Sequence, residues 1–400
     1  MHMYISMLGR GLKQSKLLPL PKRCIRYYSS STESDIHNTL NKLYQDAEKP
    51  QTGISLRDLI FFGREVSPNK MITASQWIYR ELRVRLARQV CLMDQFPYGL
   101  NLMPSVRVVR DWYFESYKDL LKIKEPHTTE QEQAFTQAIS GIYQRHAPTP
   151  ESVAKGVWEL KQELRKTVYK SNNFDLATYV DVHQNLDNFY QYRIGMRMLI
   201  GQHLELHDQI NNPVENYVGL ISKQTSPSKV ALSAIEDASI LCQRHHLDVP
   251  EVSLHGAKDI NFPYVSSHLY YMLFELVKNS MRAVVEFHKG GPYPSIRIVI
   301  ADGDEDVTIK VSDEGGGIAR SDFSKIWSYL YTTAEKQEES LFPDPSQDAP
   351  MAGFGYGLPL SRVYARYWRG DLNIMSMEGY GTDAYLHLNR LGDKSETLVT

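Results

Sequence analysis

Glu275, Asn279 and Arg282 lie within the run FELVKNSMRAV, with Asn279 and Arg282 four and seven residues beyond Glu275. A helix turns about 100° per residue, so these offsets return to one face. Leu273, Leu276, Val277 and Val284 fall largely on the other side. A carboxylate, an amide and a guanidinium on one wall suit phosphoryl transfer. The amide oxygen of Asn279 is the hard, neutral ligand that Mg²⁺ takes alongside water and phosphate oxygens. Glu275 can polarise an attacking hydroxyl or a metal-bound water, while Lys278 or Arg282 offsets the charge spread over the phosphates. Taken alone, the segment also reads as an amphipathic surface helix with a solvated polar face.

Two glycine-rich boxes come after it. Asp313 ends a run, Val307 to Ser312, whose alternation of apolar and polar residues is that of a half-buried strand. A strand-end carboxylate can accept a hydrogen bond from an exocyclic amine such as that of adenine. Gly315, Gly316 and Gly317 then permit a sharp turn free of side chains against a flat ligand. In GFGYGLP, Gly353, Gly355 and Gly357 precede a helical stretch from Leu358 to Trp368. Backbone amides of such a loop at a helix start form an anion cradle. By itself the first box is ordinary turn chemistry, and the second could be a flexible loop.

The segments ELVKNSMRA, DEGGG and GFGYG, with a late GTD at 381–383, resemble the N, G1 and G2 boxes of the GHKL ATPase and kinase superfamily. SDEGGGI, YTTAE, AGFGYGLPLSRVYARY and SMEGYGTDAYLHL are further similar to the mitochondrial pyruvate dehydrogenase kinases, as are WIYRELRVRLARQ, DWYFESY and YRIGMRMLIGQH nearer the amino terminus. The resemblance implies a protein-serine kinase using Mg-ATP. It makes Glu275 the general base and Asn279 the Mg²⁺ ligand, and sets Lys278 and Arg282 beside the nucleotide. Asp313, Gly315 and Gly317 would lie at the adenine side, and Thr382 behind the base. Thr332 and Thr333 would sit in a lid, and Gly353, Phe354, Gly355, Tyr356, Gly357 and Leu358 at the phosphates. Some members carry His four residues before the catalytic Glu; here that position is Tyr271, and His268 faces the same side only if the helix reaches it.

Composition agrees with a two-domain enzyme: 400 residues with 42% hydrophobic side chains support more than one core. No apolar run approaches the roughly 18 residues of a membrane span. The first 32 residues hold Arg10, Lys13, Lys16, Lys22, Arg23 and Arg26 without Asp or Glu and end in serines, the composition of a mitochondrial transit peptide or, alternatively, of a basic tail. Cleavage before Ser29 leaves 39 basic against 47 acidic residues, a formal charge of −8, unsuited to general nucleic-acid binding. The three cysteines, Cys24, Cys91 and Cys242, suggest neither a zinc site nor a disulfide framework.

The elements that must position the boxes form two groups. From Ile54 to Tyr217 the pattern is helical: Trp77, Leu82, Leu86 and Val90; Tyr113, Tyr117 and Leu120; and Leu186, Phe189, Ile194 and Met198 recur at helical spacing between prolines. A four-helix bundle with short additions is expected. Arg80, Arg83, Arg85 and Arg88 on its first long helix read as a salt-bridged face or a site for an acidic partner. ISKQTSPSK at 221–229 reads as a linker. Beyond it, strands near 252, 260, 296–301, 306–312, 371–377 and 383–389, interleaved with helices, imply an α/β sandwich of the GHKL type. The expected domains are a leader at 1–28, a helical regulatory and docking domain at 29–220, and an ATP-binding domain at 221–395 with a lid at 314–352.

Two functional classes fit the residues, and a third fits less well. One is a kinase acting on the E1α subunit of a 2-oxoacid dehydrogenase complex in the mitochondrial matrix, docked on the E2 lipoyl domain and homodimeric as the resemblance implies. Pyruvate dehydrogenase is the favoured complex and branched-chain 2-oxoacid dehydrogenase the alternative. Another is an ATP-gated binding module. A histidine autokinase lacks support, because no HExxxP-like phosphoacceptor segment is evident in the helical region. The ending LGDKSETLVT resembles the short-tailed plant kinases, which puts transfer of the animal enzymes' docking contacts in doubt.

Overall fold

A computed structural model describes residues 33–167, 177, 179–246, 248–331 and 355–399. The leader expected at 1–28, most of the expected lid, and Thr332, Thr333, Gly353 and Phe354 lie outside the described residues. The chain divides into Met1–Lys42 and Leu43–Thr400. Within the first unit the described residues begin α1, Glu33–Ala47. The second unit holds the elements beyond α1.

Its amino-terminal half is helical, with α2 Leu56–Gly63, α3 Pro68–Asp94, α4 Pro104–Lys122, α5 Thr129–Arg145, α6 Thr149–Thr167 and α7 Val180–Gln209. The starts follow from local chemistry. Ser55 and Asp58 form a reciprocal capping box on α2, and Ser67 caps α3 ahead of Pro68. Pro104 opens α4, where its missing N–H costs nothing. The apolar spacings mark the core: Leu82, Leu86, Val90, Tyr113, Tyr117, Leu120, Leu186, Phe189, Ile194 and Met198 are all buried, and Trp77 is half-buried. Helix α7 packs against α3, α5 and a later helix, α10 Gly357–Tyr367, so its apolar residues surround it rather than forming one stripe.

The carboxy-terminal half contains a sheet in the order β3-β5-β6-β8-β7: β3 Val252–Gly256, β5 Ile296–Asp302, β6 Asp306–Asp313, β7 Asp371–Met377 and β8 Gly381–Asn389. Only the β3–β5 pair is parallel. The hairpin signalled by Asp302 and Gly303 joins β5 to β6, where Gly303 donates its N–H to the Asp306 carbonyl at 3.0 Å. Ile296, Ile298, Ile300, Val307, Ile309, Val311, Leu386 and Leu388 give the sheet a buried face. Helices α9 Ser266–His288 and α10 Gly357–Tyr367 pack on the sheet, and α8 Pro227–His246 packs on α9.

One expectation changes. The stretch read as a linker includes β2, Ile221–Thr225, paired antiparallel with β1 Tyr217–Val218 and β4 Phe262–Tyr264 in a second, three-stranded sheet. Ile221, Ser222 and Thr225 are buried while Lys223 and Gln224 face out. Two exposed polar residues in the middle break the alternation that would mark a strand.

Candidate active site

The N box lies on α9 as the spacing requires. Leu273, Leu276, Val277 and Val284 are fully or nearly fully buried against the sheet and α8, which turns Glu275, Asn279 and Arg282 toward the opposite side. Glu275 accepts an ion pair from Lys278 Nζ at 2.7 Å on Oε2, with both side chains about nine-tenths buried. The Lys278 ammonium also stands 5.3 Å from the centre of the Phe274 ring. Asn279 is exposed. Arg282 pairs through Nε with Glu286 Oε1 at 2.7 Å, one turn further along the same face.

The second glycine box meets this carboxylate. Gly357 opens α10 with its α-carbon so close to Glu275 that a β-carbon there would overlap the carboxylate. Glycine at 357 therefore lets the start of α10 approach the N box directly. The N-cap residue, Tyr356, makes no side-chain cap bond, and among the described residues the first backbone amides of α10 are open to an anion. Leu358 lies in the first turn. Gly355 lies against the backbone of Tyr331, while the Tyr356 ring turns inward and packs near Tyr329 at 4.9 Å.

Asp313 occupies the opposite end. Its Oδ2 accepts from Ser280 Oγ at 2.8 Å and its Oδ1 from the Gly315 N–H at 3.0 Å. Burial pushes its pKa up, and the Gly315 and Ser280 donors only partly offset that. Gly315 sits where a β-carbon would strike Ala283 of α9, so the turn after β6 closes onto the N-box helix. Gly317 lies with its backbone against the Met377 carbonyl. Thr382 is paired with Asp313 across β6 and β8, and its hydroxyl is 3.0 Å from Ser376 Oγ. The N box, both glycine boxes and the GTD segment thus converge around α9.

Ser280 was not singled out from the sequence, although it lies beside Asn279 and is the side chain that ties the N box to Asp313. Helix α9 starts at Ser266 and so does include His268. Burial lowers the His268 pKa to about 3, and the ring stands 4.8 Å from Tyr364. The residue is half-buried, and among the described residues its Nδ1 has no hydrogen-bond partner. At the position where some family members have His, the Tyr271 hydroxyl is held far above its ordinary pKa by burial and then by the charge of Glu275.

Comparison with known proteins decides the family. Residues 53–222 match the family described as mitochondrial branched-chain alpha-ketoacid dehydrogenase kinase, and residues 264–391 match histidine kinase-, DNA gyrase B- and HSP90-like ATPases. Mitochondrial pyruvate dehydrogenase (acetyl-transferring) kinase of Arabidopsis thaliana is 48% identical over 87% of this chain and 93% of its own length. Isozyme 3 of Homo sapiens is 37% identical over 86% of this chain and 84% of its own length, and the Schizosaccharomyces pombe kinase is 33% identical over 88% and 96%. The chain belongs to the mitochondrial pyruvate dehydrogenase kinase family. In this family member the helical half and the GHKL-type sandwich follow one another as the sequence implied. The ATPase match spans the N box, Asp313, the described end of the second glycine box and Thr382.

The donor set suits Mg-ATP. Among the described residues no three His, Cys, Asp or Glu side chains converge as a metal cage. A single exposed amide at Asn279 instead fits a metal whose remaining ligands are phosphates and water. The uncapped start of α10 offers amides to phosphate, and Asp313 offers a buried acceptor to a base. Among the described residues, no helix is long and apolar enough to cross a membrane.

Proposed function

We propose that this chain is a mitochondrial matrix kinase that transfers the γ-phosphoryl group of Mg-ATP to a serine hydroxyl on the E1α subunit of the pyruvate dehydrogenase complex, inactivating it. The observation that supports this reading is the close approach of the Glu275 carboxylate to the first residue of α10, because a proton acceptor there would stand at the end of the phosphate cradle. Glu275 orients the hydroxyl and receives its proton as the new O–P bond forms and the bond from the γ-phosphorus to the bridging oxygen breaks, releasing ADP. Lys278 balances the charge of that carboxylate beside an anionic ligand. Asn279 would hold magnesium, which supplies charge neutralisation at the phosphates. Asp313 accepts from the adenine amine, with Thr382 behind the base, and the backbone of Gly355 to Leu358 cradles the phosphates.

The helical half would dock the E2 lipoyl domain, and two copies would associate. The edge strand β7 exposes Met375 and Met377, an apolar strip that a second copy can cover. A second reading has a specific basis: the family matched by residues 53–222 carries the branched-chain name. In that reading the same site would act on the branched-chain 2-oxoacid dehydrogenase complex. The relatives named for pyruvate dehydrogenase, similar over more than four-fifths of this chain, favour the first.

The test is transfer of labelled γ-phosphate from Mg-ATP, with the pyruvate and branched-chain complexes offered side by side. Serine labelling and inactivation of the pyruvate complex alone is expected. Labelling of the branched-chain complex alone selects the second reading. Nucleotide binding without transfer to either would replace both with an ATP-gated binding module.

A further inference from the structure

Among the contacts that fasten the glycine-box end of the nucleotide site to the helical half, one residue pair, Asp187 and Tyr329, has no role in the site described so far. Tyr329, downstream of the first glycine box, is fully buried. Its hydroxyl donates to Asp187 Oδ1 of α7 at 2.6 Å, and its backbone N–H donates to His183 Nδ1 of the same helix at 3.2 Å. The Tyr329 ring lies 5.7 Å from Tyr190, also of α7, at an interplanar angle of 26°. Tyr329 also contacts Tyr356 at 4.9 Å, Tyr356 itself lies 6.0 Å from Tyr190 to close a three-ring cluster, and Tyr356 is the residue from which α10 starts. The next residue, Gly357, abuts Glu275. A continuous line of packed groups therefore runs from Asp187 through Tyr329 and Tyr356 to the catalytic carboxylate.

We infer that Asp187 is a positioning residue, which by holding the Tyr329 hydroxyl sets the Tyr356–Gly357 backbone at the geometry that binds nucleotide phosphate. The inference rests on the kinase reading. A hydroxyl donating to a carboxylate makes a short, directional bond, whereas ring stacking tolerates sliding. Packing alone would hold Tyr329 in the core without fixing where along α7 it sits. The Tyr329 N–H bond to His183 fixes the backbone along α7, and the carboxylate fixes the hydroxyl end of the side chain. Through it the helical half can govern the phosphate end of the site.

The experiment compares Asp187→Leu, Asp187→Asn, Tyr329→Phe and the Leu/Phe double variant in the full chain. ADP affinity is measured by calorimetry, ATP KM and kcat by the transfer assay, and unfolding midpoint by thermal melting. Asp187→Leu and Tyr329→Phe should each weaken ADP binding and raise KM about tenfold, with kcat changed less. Asp187→Asn, which keeps an acceptor oxygen, should remain within about twofold of wild type. The double variant should be no worse than either single one, since all three lose the same bond. Tyr329→Phe keeps the ring and carries the test if Asp187→Leu does not fold. Lowered melting midpoints with ADP affinity and KM unchanged would overturn the inference and leave the bond purely structural. A wild-type chain that binds no ADP would instead sink the kinase reading itself.

Discussion

Two carboxylate–cation clusters in this molecule are almost equally buried and differ in how fully they are partnered. Around Arg85 nearly every polar atom is used. Its Nε donates to Glu81 at 2.8 Å, its two Nη atoms donate to the two oxygens of Glu396 at 3.0 and 2.6 Å, and Nη2 also reaches the Thr52 carbonyl at 3.0 Å. Glu81 in turn accepts from the Thr52 N–H, and Glu396 from Ile54 and from the Tyr367 hydroxyl. On α9, by contrast, Glu275 has Lys278 as its ion-pair partner among the described residues, and it faces the uncapped start of α10. A buried charge with every lone pair engaged can only hold the structure. One with spare acceptor capacity next to free backbone amides can act on something else.

Breaking the second cluster should cost the most in function. Glu275→Gln keeps the size of the side chain and an oxygen that can accept from Lys278, but removes the base. Transfer should fall by about 10²–10⁴-fold, the usual contribution of a positioned general base. ADP affinity and the melting midpoint should stay near wild type. Single-turnover transfer alongside calorimetry makes the separation, and retained transfer would remove Glu275 from the role of base.

Breaking the first cluster should reverse that pattern. Arg85→Ala leaves Glu81 and Glu396, both 5% exposed or less, as uncompensated buried carboxylates. Removing one partner of a buried pair costs about 3–5 kcal/mol. Urea unfolding should show that loss, while the folded fraction keeps its ADP affinity. The larger effect is expected on stability because Glu396 joins the end of the chain to α3 on one side and to α10 on the other. A weakened nucleotide site with full stability would show that the contrast drawn between the two clusters is wrong.

The sequence disclosed these clusters unequally, for a physical reason. Glu275, Asn279 and Arg282 share one helix, so the 3.6-residue period alone gathers them. Asp313 was legible as the end of an alternating strand. Its partner Ser280 was not, because the chain covers the 33 positions that separate them through a helix end, a loop and two strands before returning. Arg85 and Glu396 are 311 positions apart, and no local period connects them. The basic run from Arg80 to Arg88 therefore left two readings open. In the structure Arg83 pairs with Asp46 at 2.7 Å, Arg80 with Glu125, and Arg88 donates to the Lys49 carbonyl at 2.8 Å, which favours the salt-bridged reading. Asp187 and Tyr329 were missed for the same reason as Ser280: their bond spans 142 positions and joins the two halves.

The same helix supplies the smallest effect and the sharpest control. Arg80 and Arg85 lie five residues apart on α3, each paired with glutamate, so a count of ion pairs would treat them alike. The Arg80 side chain is 69% exposed and that of Arg85 is 2% exposed. Water solvates Arg80 and Glu125 whether or not they meet, and salt screens what attraction remains. Arg80→Ala should thus leave the urea midpoint within measurement error, and raising the salt concentration should change wild type and variant alike. A clear loss of stability in Arg80→Ala would mean that position along α3, rather than the degree of burial and partnering, decides what a charge on this helix contributes.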